Sequence, residues 1–239
     1  MEFVKMAKVY FGMATYPPRK KCLKEVIPNI LPQCTKLFVY LNKYTDVPKI
    51  LIHPKIKVIM AEKEGECGDI GKFHFVDKVD GYYFTVDDDL VYPPNYAQRM
   101  MRAVDHYRQR AVIGVHGCVL NTRNMWNYYR SRSLTNYRAA LAKEKNVHII
   151  GTGTAAFHTS TLKISRKSFP VENMADIWFA IEGQKQRVPF ILISRPMRWV
   201  NDCATAPQTT SIYRKSKNKS HGKYQTKVIK EYGNWKIIS

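Results

Sequence analysis

Long apolar runs are missing from this sequence. Stretches such as Phe190-Ile191-Leu192-Ile193 fall far short of the roughly 20 residues that cross a bilayer. Met1 to Gly12 lacks the basic, apolar and small-residue layout of a secretory signal, so a non-secreted, cytoplasmic protein without a transmembrane segment is expected. Cysteine is sparse: five residues (Cys22, Cys34, Cys67, Cys118, Cys203), odd in number and without a CxxC pair, point away from a disulfide framework or a zinc ribbon and toward reduced thiols. There is no internal repeat. Acidic residues are few, 19 Asp and Glu against 39 Lys and Arg, and the net charge of +20 favours polyanionic partners: nucleic acid, an anionic membrane or phosphorylated substrates.

What is present is a globular pattern. With 239 residues, 45% of them hydrophobic, the chain can bury one substantial core or two small ones. Short β-rich runs alternate with helical stretches, which predicts an α/β protein with a mixed, mostly parallel sheet flanked by helices. Strands are expected at 8–14, 36–41, 56–60, 82–86, 111–116 and 189–193, with a strand or hairpin at 147–157. Helices are expected after Pro17-Pro18 to about Ile30, around 73–79, from 95 to about 109, and over 174–186. The polar, tyrosine-rich stretch 121–145 reads as an irregular lobe with some helix. After Ile193 the chain turns basic, with ten Lys or Arg from Arg195 onward against Asp202 and Glu231, and reads as a wrapping segment or partly ordered arm.

The strand 82–86 runs straight into Asp87-Asp88-Asp89. Three adjacent carboxylates repel and raise one another's pKa unless a cation or strong donors compensate. A hard divalent ion, Mn²⁺ or Mg²⁺, is the simplest compensation, since such ions bind one or two carboxylates together with substrate phosphates. The crevice outside strand C-termini is also where open α/β sheets bind ligands. A solvated acidic turn is the other reading of the same residues.

Taken in order, a strand followed by Thr15-Tyr16-Pro17-Pro18-Arg19, then Gly68-Asp69-Ile70-Gly71-Lys72-Phe73, then Tyr83-Phe84-Thr85-Val86-Asp87-Asp88-Asp89, the chain resembles the nucleotide-sugar half of a GT-A (Rossmann-like) glycosyltransferase. It is most similar to compact family-2-like enzymes, including small ones encoded by large DNA viruses, whose setting would be the host cytoplasm. The resemblance covers roughly 8–196. It implies one catalytic domain over 1–196, with a nucleotide-binding half (1–115) and an acceptor and sugar half (116–196), and a basic segment (197–239) packing on it.

The resemblance implies metal-dependent transfer from a nucleoside diphosphate sugar, a UDP-sugar by preference, to a hydroxyl of a glycan or glycoprotein, with inversion and no stable nucleic-acid partner. By position it assigns Thr15, Tyr16 and Arg19 to base and ribose, Asp69 to the base and Lys72 to ribose or phosphate. Asp87 and Asp88 fall near ribose or sugar, and Asp87 and Asp89 serve as metal ligands with Asp89 preferred. Gly153 and His158 fall in the sugar-binding loop, Asp176 is the general base and His221 a further metal ligand. Each has a plainer alternative: helix capping for Asp69 and Asp176, surface charge for Arg19 and Lys72, a glycine turn with a satisfied histidine for Gly153 and His158, and a solvated basic arm for His221. No QxxRW box or earlier DxDD-like triplet of processive synthases is present. Two other functions compete: a nucleic-acid-binding protein, from the charge and the tyrosines among arginines, and a metal-dependent nucleotidyl or phosphoryl transferase, which lacks the expected GGxGTR-type loop.

Overall fold

The structure is a computed structural model that describes residues 7–207 and 222–239. In chain order it contains β1 (Val9–Thr15), α1 (Leu23–Ile30), β2 (Lys36–Leu41), β3 (Ile56–Met60), α2 (Ala61–Glu64), β4 (Tyr82–Asp87), β5 (Leu90–Val91), α3 (Tyr96–His106), β6 (Val112–Gly114) and β7 (Gly117–Leu120). These are followed by β8 (Arg132–Thr135), β9 (Lys145–Val147), β10 (Ile149–Ile150), β11 (Thr154–His158), α4 (Ala175–Lys185), β12 (Phe190–Leu192), β13 (Asn201–Asp202) and α5 (Lys223–Tyr232).

Eight strands form one mixed sheet in the order β3-β2-β1-β4-β11-β6-β12-β9. The pairs β3–β2, β2–β1, β1–β4 and β12–β6 are parallel, while β11 runs against both its neighbours and β9 against β12. The order β3-β2-β1-β4 is that of a Rossmann-like half: successive crossovers leave β1 in opposite directions, so a crevice opens between the C-terminal ends of β1 and β4. Because β11 is antiparallel, it begins at the edge where β4 and β6 end. Smaller sheets pair β10-β7-β8 and β13-β5.

The period of two in the strands builds both faces. Phe11 and Met13 of β1, Leu37, Val39 and Leu41 of β2, and Phe84 and Val86 of β4 pack with Val26 and Ile27 of α1 and with Tyr96, Met100 and Val104 of α3. The alternate residues Phe38, Tyr40 and Tyr83 pack on the other face with Phe73, Phe157 and Phe179 of α4. Since both faces are covered, β2 and β4 read as nearly continuous apolar runs.

Three local expectations need correction. The helix around 73–79 is instead a 3-10 helix at Gly68–Phe73 followed by turns; its backbone lies directly on β1 and β2, and that packing overrides local propensity. The 121–145 lobe holds a strand, β8, and a single 3-10 turn at Thr122–Asn124 in place of α-helix. A strand that pairs with β7 across a long loop leaves no local signal. The C-terminal segment contains α5, which was not anticipated; Ile229 and Trp235 join the α4-side core, while Trp199, Val200 and Cys203 join the other. Among the described residues no helix is long and apolar enough to cross a membrane.

Candidate functional site

The three aspartates meet at the crevice, and the pleat of β4 divides them. Asp87 lies opposite Ala14 in the ladder with β1 and points to the α4 side of the sheet, like Tyr83 and Thr85 before it. Lys72 Nζ donates to its Oδ1 at 2.5 Å. Asp88, one residue on, turns to the α1 side, where Arg19 Nη1 donates to its Oδ1 at 3.2 Å and Thr15 supplies a further hydrogen bond. Asp89, in the turn to β5, also pairs with Arg19. The carboxylates are thus compensated by two buried cations, Arg19 and Lys72, one on each face.

Glycines set the spacing of this arrangement. A Cβ on Gly12, in the middle of β1, would lie 2.0 Å from the carbonyl oxygen of Lys72, so only glycine lets the Gly68–Phe73 turn settle on the strand and deliver Lys72 to Asp87. A Cβ on Gly153 would lie 2.0 Å from Asp87 Oδ2. The carboxylate therefore rests against the loop that starts β11. Tyr92 braces the same junction: its hydroxyl accepts from Asp87 N at 2.8 Å and donates to Gly153 O at 2.7 Å.

That loop leads to the remaining acids. Asp176, second residue of α4, accepts from Thr152 N at 2.7 Å and from Thr152 Oγ1 at 2.6 Å through Oδ1, and Thr152 O lies 3.4 Å from Lys72 Nζ. It does not cap its own helix. Asp69 does so from across the chain, accepting from Asn173 N at 2.6 Å and Ala175 N at 3.0 Å. Its two oxygens are thereby engaged, which counts against the expected contact to a base. Tyr16 precedes the Pro17–Arg19 turn in extended conformation and accepts from Arg19 N through its carbonyl. Thr15 is buried, its hydroxyl 3.4 Å from that of Tyr44, so it supports Asp88 and is not open to a ribose.

His158 is not part of the site. Antiparallel β11 pairs it with Tyr82, at the far end of β4 from the aspartates, and its Nδ1 bonds Ser160 Oγ at 2.7 Å. The small residues around Gly153 sit at the start of β11 while His158 ends it, and strand direction separates them. His221 lies outside the described residues.

Burial and charge compete throughout the cluster. Burial would raise the Asp87 pKa, but Lys72 outweighs it and holds the group below its ordinary value. Burial wins at Asp88, with Arg19 only partly offsetting it, and pushes that carboxyl up to about 7; its Oδ2 has no hydrogen-bond partner. Burial would lower Lys72, but Asp87 and Asp69 raise it above its ordinary value, so it stays a cation.

Sequence reasoning passed over Tyr92, Thr152, Asn42 and His116. Asn42, at the end of β2, accepts from the backbone N–H groups of Cys67 and Gly68 and donates to Gly68 O, fixing the start of the Lys72 turn. His116, just past β6, sits on the same edge as the aspartates. A readable signal existed for Asn42, directly after the strand expected at 36–41, and for His116, at the end of the one expected at 111–116. Two surface clefts, of about 510 and 410 Å³, open elsewhere, beside Val76 and Ser160 and beside Trp126 and Trp235.

Among the described residues no three His, Cys, Asp or Glu side chains converge as ligands for one ion, so a cage made of protein alone is absent there. The residues do fit an ion that arrives with phosphates. Asp87 and Asp89 keep 39% and 27% of their side-chain surface open, and five carboxylates (Asp69, Asp87, Asp88, Asp89, Asp176) surround the two cations. An excess of carboxylates over cations favours a cation there over a bare phosphate. No protein-family model and no curated protein matches the chain.

Proposed function

We propose that the chain is a GT-A-type glycosyltransferase, which moves a sugar from a nucleoside diphosphate sugar, preferentially a UDP-sugar, to a hydroxyl of a glycan or glycoprotein with inversion. One observation carries this reading: the Thr15–Arg19 turn and the Asp87–Asp89 turn close on each other at the switch point between β1 and β4, with Asp176 held across the Thr152 loop. Asp87 and Asp89 would hold Mn²⁺ or Mg²⁺ together with the diphosphate, and that ion would neutralise charge on the leaving group.

The chain's own residues divide the remaining work. Arg19 and Lys72, released in part from their carboxylates, face the phosphates. Tyr16, extended just before the Pro17–Arg19 turn, contacts the base in this reading. Asp176 has one oxygen fixed by two donors from Thr152, and in this reading the other accepts the proton of the attacking hydroxyl. Glycine at 153 leaves room for the Asp87 carboxylate against the loop that starts β11.

Calorimetric titration with UDP in the presence and absence of Mn²⁺, beside a single-stranded RNA of matched charge, tests the reading. Metal-enhanced UDP binding supports it. RNA binding without UDP binding would replace it with the polyanion-binding function that the +20 charge favours.

A further inference from the structure

We infer that His116 determines which sugar the site accepts, by holding a ring hydroxyl of the transferred sugar between Asp87 and Asp176. The inference rests on the glycosyltransferase reading and adds a residue that neither motif nor charge pattern had marked.

The strand order places it. β6 is parallel to β4 in direction and two positions away, with the Gly151–Gly153 loop entering β11 between them. Two strand spacings amount to roughly 10 Å, the scale of one pyranose with its hydroxyls. His116 is the first residue of this edge beyond the loop, and the charges of Asp176, Arg132, Asp87 and Arg195 all reach its ring.

The ring is fixed in place yet unused. A Cβ on Gly151 would lie 2.7 Å from His116 Cδ2, so glycine makes room for the imidazole, and the Tyr137 ring meets it edge-on with centroids 5.5 Å apart. The backbone is held as well: His116 N donates to Thr154 Oγ1 at 3.1 Å, and its carbonyl accepts from Gly151 N at 2.9 Å. Its buried Nδ1 has no hydrogen-bond partner. The side chain as a whole is only half-buried, so the Nε2 edge is its route to a ligand. A ring braced on one side by Gly151 and Tyr137, with its Nε2 edge open at the crevice, is arranged to meet something that arrives there.

The chemistry of the surroundings selects the ligand class. The carboxylates of Asp87 and Asp176 near the ring disfavour an anionic phosphate beside it. The ring's Nε2 offers one donor or one acceptor, which matches a hydroxyl, and a hydrogen bond made there separates a sugar with a hydroxyl in reach from an epimer without one.

Two variants separate this role from packing. His116→Phe keeps a flat ring but cannot hydrogen-bond, while His116→Gln keeps an N–H donor near the position of Nε2. Both are titrated with UDP and with a panel of UDP-hexoses and UDP-N-acetylhexosamines in Mn²⁺, and transfer is assayed with the preferred sugar. UDP affinity should stay within about twofold of the parent. The preference for the best UDP-sugar over its epimers should fall about tenfold or more in His116→Phe and recover in part in His116→Gln. Unchanged sugar ranking in His116→Phe would overturn the inference while leaving the glycosyltransferase reading intact, and so would equal loss of UDP and UDP-sugar binding, which marks a structural residue. A parent protein that binds neither UDP nor any UDP-sugar removes both.

Discussion

Asp69 caps the helix that carries Asp176. Its two oxygens accept from Asn173 N and Ala175 N, so a side chain of the Lys72 turn holds the first turn of α4 at the crevice. Asp69 is therefore a positioning residue. Asp69→Asn should leave UDP affinity within about threefold of the parent and lower kcat about tenfold, because an amide supplies one acceptor where two are used. Equal losses in UDP binding and kcat would return Asp69 to the base-binding role.

The same residue sets a pH dependence. Burial pushes its carboxyl up to about 6, against Lys72 and the backbone donors that favour the charged form. An unfolded aspartate titrates near 4, so between about pH 4 and 6 the folded chain holds the extra proton. That stabilisation is complete below pH 4 and is lost as the pH rises through 6. Asp69→Asn lacks this titration, and its melting temperature should gain on the parent's from pH 4 to 7. A constant difference across that range would contradict the assignment.

Asp87 and Asp89 should act on the metal, and Asp88 should not. Asp88 faces Arg19 on the α1 side of the sheet. Alanine at 89 is expected to abolish most of the Mn²⁺ enhancement of UDP binding, while Asp88→Asn retains it within about threefold. If Asp88→Asn alone removed the metal dependence, the register of the ligands would be wrong.

Gly153→Ala tests the packing of Asp87 without touching any charge. The added Cβ would fall on Oδ2, and Asp87 must swing off the loop or away from Lys72. Metal-linked UDP binding should weaken about tenfold or more. Wild-type binding would show that the carboxylate has room to move.

Asp176→Asn should bind UDP and metal nearly as the parent does and transfer sugar about 10²-fold more slowly or worse, the scale of lost general-base assistance. NMR of the product should show inverted anomeric configuration. Retention, or transfer at the parent rate, takes Asp176 out of the chemistry.

Trp235 reports on the C-terminal segment. It is buried beside Tyr232, and its Nε1 donates to Ile229 O at 2.9 Å. Trp235→Ala should cost about 3–5 kcal/mol of unfolding free energy, since a large buried side chain leaves a cavity. A loss under about 1 kcal/mol, read from urea denaturation, would mean that α5 docks without it.

Local pattern alone determined the strands of the large sheet from β1 to β4, β6 and β12, the helices α3 and α4, and the position of Asp87-Asp88-Asp89 at a strand end. Each of these is written in neighbouring residues: apolar runs for strands buried on both faces, amphipathic periodicity for α3, proline and glycine at the joints. Tertiary structure decided what those residues face. The compensation of the aspartates by Arg19 and Lys72, the engagement of Asp69 by α4, the removal of His158 to the far end of β11 and the arrival of His116 at the crevice all follow from strand order and direction. Those properties arise from contacts between residues 15 to 106 positions apart along the chain, as in Lys72 with Asp87 and Asp69 with Ala175, and no local window of sequence contains both partners together with the strands that bring them face to face.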